Sequence, residues 1–160
     1  MVLRIGRPIL ATALLAVLVP GAAKAEDASV QRRLAAENLD YKVDQDGDYR
    51  STFSYSSENR TQLVFVSGKT ESVSGAEIRE IFSPAADMKA DGVSGTKAIA
   101  LMEKSNGQKI GAWEIRSGTL YYVIKYPEPM SASQLHALMN VAATAADNME
   151  IEISGSKDAL

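Results

Sequence analysis

Apolar positions recur along this chain with two different periods, and each change of period marks the end of one element and the start of another. Val30 and Leu34 stand four apart within residues 29–38, which predicts a short helix. From residue 39 to 56 the period drops to two. Tyr41 and Val43 alternate with Lys42 and Asp44, and Tyr49, Phe53 and Tyr55 fall on one face of the next run. Gln45-Asp46-Gly47-Asp48 lies between the two runs, and Asp-Gly between alternating stretches predicts a type I′ hairpin. Ser56-Ser57-Glu58-Asn59 is a turn, and residues 61–67 form a third strand rich in branched and aromatic side chains.

The pattern is ambiguous over residues 68–95. Ser74 with Glu77 suits a capping box, and Ile78, Ile81 and Phe82 have helical spacing. A strand over 76–82, paired with 61–67 and ended by Ser83-Pro84, fits slightly better, and both readings of 76–83 stay open. Residues 90–95 read as loop. A helix follows over 96–105, with Ala98, Leu101 and Met102 on one side and Asn106-Gly107 as an αL cap. Residues 109–115 and 119–126 make a hairpin across Ser117-Gly118, and Pro127 and Pro129 break the chain. Ser131 with Gln134 caps a long last helix, whose core stripe is Leu135, Leu138, Met139, Ala142, Ala146 and Met149. Residues 151–154 read as extended, ahead of a polar tail at 155–160. An antiparallel sheet (a strand meander plus a C-terminal hairpin) with an N-terminal, a middle and a long C-terminal helix is an α+β fold.

The first 25 residues follow another logic. Arg4 and Arg7 precede an apolar run from Ile9 to Val19, and Ala23-Lys24-Ala25 closes the segment. A basic start, an apolar stretch and a small-x-small ending predict a secretory signal peptide cut after Ala25. An uncleaved anchor would need about 20 apolar residues, and Pro8 and Pro20 bound a shorter run. Without cysteine there is no lipid attachment at a cysteine beside the cleavage site, and Arg4 and Arg7 are not the adjacent pair of a twin-arginine signal. The expected organisation is a signal peptide at 1–25, one α+β domain at 26–154 and the tail. The destination is the bacterial periplasm or the medium, with no membrane contact after cleavage.

Removing 25 of 160 residues leaves 135, and losing Arg4, Arg7 and Lys24 from 17 basic residues leaves 14 against 20 acidic, a net charge of −6. An acidic chain with scattered lysines offers no footprint for nucleic acid. With no cysteine the fold holds by packing alone, and thiol chemistry and thiolate metal sites are excluded. His136 is the only histidine, so multi-histidine zinc sites are excluded as well.

One resemblance emerges from this order of elements. It is carried by Asp40-Tyr41-Lys42-Val43-Asp44-Gln45-Asp46-Gly47-Asp48, a helix ending at Asn106, and Gly118-Thr119-Leu120-Tyr121-Tyr122 leading through Pro127 into the last helix. Over most of residues 29–150 the chain resembles the YbjN family of bacterial sensory-transduction regulators, whose domain is similar to the type III secretion chaperone fold. The resemblance implies a small non-enzymatic domain, often dimeric, that binds other proteins or takes part in regulation. It supplies no catalytic residues. A signal peptide departs from that pattern and from a cytoplasmic role.

Candidate chemistry is sparse. Asp44, Asp46 and Asp48 suggest calcium, but counting from Asp44 puts Gly47 at position 4 and Tyr55 at position 12, which fails the EF-hand pattern. His136 lies beside the core stripe without a catalytic partner, no serine sits in a Gly-x-Ser-x-Gly elbow, and Glu77, Glu80, Glu150 and Glu152 read as surface charges. The 109–126 hairpin is more informative, because both of its faces carry large apolar groups. Leu120, Tyr122, Ile124 and Tyr126 take one face, while Tyr121 and Val123, grouped with Trp113 and Ile115, form the candidate partner-binding face. Coverage of both faces by the protein's own helices or long loop is the simpler alternative.

The expected function is therefore binding of a protein, a peptide or a second copy, with no cofactor and no metal. A small-molecule sensing module is the alternative, marked by a pocket ringed by Tyr49, Trp113 and Tyr121, and an enzyme ranks third. Export is expected to yield a chain whose intact mass begins at Glu26; full-length chain in washed membranes would refute the cleavage.

Overall fold

The computed structural model describes residues 27–56, 59–155 and 158. The signal peptide assigned to residues 1–25 lies outside the described residues, as do Ser57 and Glu58 of the predicted turn and most of the tail. Helix α1 (Ala28–Ala36) starts where the Asp27 carboxylate accepts the Ser29 amide, and it turns Val30 and Leu34 inward. Strands β1 (Lys42–Val43), β2 (Tyr49–Tyr55), β3 (Arg60–Val66), β4 (Glu71–Val73) and β5 (Ala76–Asp87) follow. Then come α2 (Gly95–Gly107), β6 (Ala112–Arg116), β7 (Thr119–Pro127) and α3 (Ala132–Ser154). The fold is α+β, with the three helices at the expected places. Its antiparallel sheet has the order β1-β2-β3-β5-β7-β6, with β4 on the side of β5.

The helices gather on one face of this sheet. Val30 and Leu34 of α1 and Leu135, Met139, Ala142 and Ala143 of α3 pack on Tyr49, Val64, Val66, Ile81, Tyr122 and Ile124. Leu101 of α2 joins Ala146 and Met149 over Ala85, Ala86 and Leu120. The α3 capping box forms as expected, with Ser131 Oγ accepting the Gln134 amide and the Gln134 side chain accepting the Ser131 amide.

Several local expectations are corrected. Of the two readings of 76–83 the favoured strand is the one formed, but it does not end at Ser83-Pro84 and runs on to Asp87. Pro84 is tolerated because β3 and β5 pair through backbone only at Phe65–Phe82 and Val66–Ile81. Beyond that point Gln62 Nε2 donates to the Pro84 carbonyl at 2.6 Å and to Ser83 Oγ, so no amide of residue 84 is needed. Ser74 is no helix cap. It forms with Gly75 a two-residue turn between β4 and β5, both residues at positive φ, and Ser117-Gly118 is the same between β6 and β7. Asp46-Gly47, by contrast, is not type I′. Only Gly47 has positive φ, because Asp44 Oδ1 takes the amides of both Asp46 and Asp48 and stretches the connection to five residues.

The αL cap at Asn106-Gly107 is also absent. The α2 helix includes Gly107, and the chain leaves extended at Gln108, bringing the Ile110 carbonyl to the Tyr122 hydroxyl. Met102 is 72 % exposed, since α2 rests on the core through Leu101 alone among its residues. Residues 151–154 are helical and not extended, because Met149 and Ile153, four apart, both pack on the second core cluster.

Two buried ionic clusters join the layers. Arg60 of β3 donates to Asp147 and Glu150 of α3, each at 2.8 Å, so Glu150 is 2 % exposed and is no surface charge. Arg79 of β5 binds Asp27 at the start of α1, the Ser67 carbonyl and Glu128, and Arg33 of α1 holds the same Glu128 at 2.7 Å. Arg60→Leu strands two buried carboxylates and is expected to cost about 3–5 kcal/mol in chemical denaturation. Replacing Asp147 and Glu150 by Leu as well is expected to recover most of that loss, since an apolar trio needs no pairing.

Candidate functional site: a curved sheet face without helices

Cross-strand register assembles the site. Arg50, Phe65, Phe82, Val123 and Ala112 are successive partners from β2 to β6 and share the face opposite the helices. Pro84, Tyr121 and Glu114 form the neighbouring row. Phe65 and Phe82 stack with centroids 5.1 Å apart, and Tyr121 meets Phe82 edge-on at 5.8 Å. An aromatic stripe thus crosses the middle of the sheet.

Charged side chains lie over that stripe. Arg116 Nη1 donates to Glu80 at 2.8 Å and its Nη2 to Glu114 at 2.7 Å, while Lys125 reaches Glu114 at 2.9 Å. The Arg116 guanidinium passes 5.8 Å from the centre of the Phe82 ring. Arg116 is opposite Thr119 and Glu80 is opposite Lys125. Those partners lie six steps apart along β7, about 20 Å in a straight strand. Arg and Glu side chains do not bridge that span on a flat sheet, so β5, β7 and β6 curl with this face inside. The break in register between Pro84 and Ala86 supplies the bend. These ion-paired side chains form a strap across Phe82, and Val123, the cross-strand partner of Phe82, is 2 % exposed although no described helix lies over it.

Burial pushes the Glu114 carboxyl up, but hydrogen bonds from Lys125 and Arg116 and their charges outweigh it and hold the group below its ordinary value. Glu128 behaves likewise, its burial overcome by Arg33 and Arg79, and so does Asp27, through Ser29 and Arg79. Burial, with only the Gly68 amide and Lys69 opposing it, shifts Asp48 upward.

The four residues grouped as a partner-binding face do not share one. Trp113 is opposite Tyr122 and Ile115 opposite Leu120, which places both on the helix side. Trp113 packs edge-on against Tyr122 at 5.1 Å, and Ile115 stands half-exposed at the sheet's edge. Only Tyr121 and Val123 lie on the helix-free face. The ring of Tyr49, Trp113 and Tyr121 is not formed either, because Tyr49 is wholly buried in the core. A groove of about 600 Å³ runs instead beside Trp113, between Lys104 and Gln108 on one side and Asn140, Thr144 and Asn148 of α3 on the other.

The remaining candidates have structural tasks. His136 Nδ1 stands 3.1 Å from Glu37, tying α3 to the end of α1. The Asp44 carboxylate is committed to backbone amides, and Asp48 accepts the Gly68 amide at 2.9 Å. Glu77 accepts from the Thr70 hydroxyl at 2.6 Å. Among the described residues no three His, Asp or Glu side chains gather as a metal site.

Phe65, Glu114, Arg116 and Lys125 were not singled out from sequence, Phe82 figured only in the pattern of 76–82, and Glu80 was read only as a surface charge. One signal was present: a two-residue turn at Ser117-Gly118 pairs Arg116 with Thr119 and hence Trp113 with Tyr122, which separates Trp113 from Tyr121. No protein-family model matches the chain, and no curated protein does so.

Stability is expected to fall on acidification. Glu114, Glu128 and Asp27 have folded values below their ordinary 4.5, 4.5 and 3.8, so their contribution is complete above those values and is lost as pH falls through the lower folded ones. Asp48 acts in the opposite sense and offsets part of the loss. Melting temperature should stay level from neutral pH to about 5 and drop below about 4; a constant value down to pH 3 would show that these ion pairs contribute nothing.

Proposed function

We propose that this chain is an exported, non-enzymatic binding domain, released from its leader into the periplasm or the medium, whose curved sheet face receives a protein or peptide segment. The supporting observation is the aromatic stripe of Phe65, Phe82 and Tyr121 on a face that, among the described residues, carries no helix and is covered by part-exposed ion pairs. Such pairs contribute about 1 kcal/mol or less each. Fully burying one large apolar side chain contributes about 1.5–3 kcal/mol. An aromatic or aliphatic segment therefore displaces the strap at little cost. Two acidic and two basic groups balance within the strap, so the face selects by apolar shape and not by charge. The YbjN resemblance, with its protein-binding and regulatory members, belongs to this proposal. The groove beside Trp113 favours a second reading, a small-ligand sensing module, since about 600 Å³ is of ligand size; the single tryptophan's fluorescence reports on a ligand there.

Crosslinking in the periplasm, followed by mass spectrometry, tests the face. Phe65→Lys with Tyr121→Lys is expected to keep the circular dichroism spectrum and lose the captured partners. Arg116→Ala is expected to bind more of a fluorescent apolar dye by uncovering Phe82. A folded double variant that captures the same partners would refute the assignment.

A further inference from the structure

A second surface lies at the edge of the sheet. Among the described residues β6 pairs only with β7, so its outer side carries no strand. The two-residue turn makes Arg116 and Thr119 a hydrogen-bonded pair, and by alternation Glu114 and Ala112 also direct their backbone groups to β7. Trp113 and Ile115 must then direct theirs outward. Trp113 shows this, because its amide donates across the free edge to Ser105 Oγ of α2 at 3.0 Å. Among the described residues no corresponding cap meets Ile115, whose side chain is 50 % exposed. Ile99 and Met102, one turn apart on the adjoining α2, are 62 % and 72 % exposed.

We propose that the β6 edge pairs antiparallel with β6 of a second copy of this chain, with Ile115 on the two-fold axis. The sequence around Ile115 is complementary to itself in that register. Centring the pair on Ile115 sets Glu114 of each copy opposite Arg116 of the other, and the two Ile115 side chains meet on the helix side. Ile115 is the residue whose backbone N–H and C=O both face outward, so the central pair exchanges two hydrogen bonds. The Ser105 cap on Trp113 keeps the paired stretch short. The α2 helix, which carries Ile99 and Met102, adjoins this edge through Ser105, so a second copy brings its own α2 to the same side of the pair. A charged or polar peptide would satisfy the backbone groups but leave these apolar side chains in water. A second copy satisfies both. The pairing uses the backbone edge of β6; it shares Glu114 and Arg116 with the charged cover of the curved face but needs none of its aromatic rings.

Cysteine placement reads this contact directly, because the chain has none of its own. In a hydrogen-bonded antiparallel pair the two Cα atoms stand about 5.5 Å apart. That lies within the range of about 4.4–6.8 Å that a disulfide spans. The exported protein bearing Ile115→Cys is expected to form a disulfide-linked dimer under mild oxidation. Val73→Cys, on an equally exposed residue of β4, is expected to stay monomeric in the gel. By light scattering the unmodified protein should have twice the chain mass in the micromolar range. Ile115→Lys, on a half-exposed residue, should keep its circular dichroism spectrum and raise the dissociation constant roughly a hundredfold or more, because like charges facing each other in an interface are strongly disfavoured. A monomeric unmodified protein, a dimer unchanged by Ile115→Lys, or crosslinking as fast at position 73 as at 115 would each overturn the proposal. Phe65→Lys with Tyr121→Lys should leave the dimer intact, which separates failure of the edge from failure of the curved face.

Discussion

The register of the β6–β7 hairpin is the constraint on which the rest of this molecule depends. Ser117 and Gly118 both adopt positive φ, a conformation that suits the right-handed twist of paired strands and leaves no freedom in the pairing of Arg116 with Thr119. A slip of one residue would turn every side chain of β6 to the other face. Trp113 would leave the core, and Glu114 and Arg116 would leave the curved face. With them would go the strap over Phe82.

The helix layer is fastened unevenly. At one end Arg79 gathers Asp27, Ser67 and Glu128, and Arg33 shares the same carboxylate, so α1 and the start of α3 are tied to β5 by charge-assisted bonds. Arg60 does the same for the second half of α3. Such clusters cost desolvation and add little net stability. Removing one member is expensive, however, so they hold one arrangement of the layers. The α2 helix lacks such an anchor. It rests on Leu101, the Ser105 hydrogen bond to Trp113 and an exposed ion pair between Lys104 and Glu152. Both the groove beside Trp113 and the free edge of β6 adjoin this lightly held helix, where local rearrangement costs least.

The two faces of the sheet are covered by different means. On one side aliphatic and aromatic side chains meet helices and exclude water. On the other, a bend at Pro84 to Ala86 lets long charged side chains fold over three aromatic rings. That cover consists of side chains alone. It is also weakened by acid and by salt, whereas on the helix-covered side the response to acid comes from the ion-paired carboxylates Glu128 and Asp27 and not from the apolar packing.

Sequence alone determined whatever depends on neighbours within a few residues. Periods of two and 3.6 located the three helices and most of the strands, though not β4 or the helical end at 151–154; Ser131 with Gln134 located the start of α3, and Ser117-Gly118 located the hairpin, because each reflects local backbone chemistry. The parity of Trp113 against Tyr122 was legible too, by counting from that turn. The tertiary structure alone decided which charges are buried and which face is curved. Glu150 looks like its neighbour Glu152 in the sequence, yet one meets Arg60, 90 positions away, and the other stands near the surface with Lys104. Glu80 and Arg116 are 36 positions apart and meet only because the sheet bends at a proline that looked like the end of a strand. Burial and ion pairing depend on which distant segments pack together, and a local pattern does not carry that information.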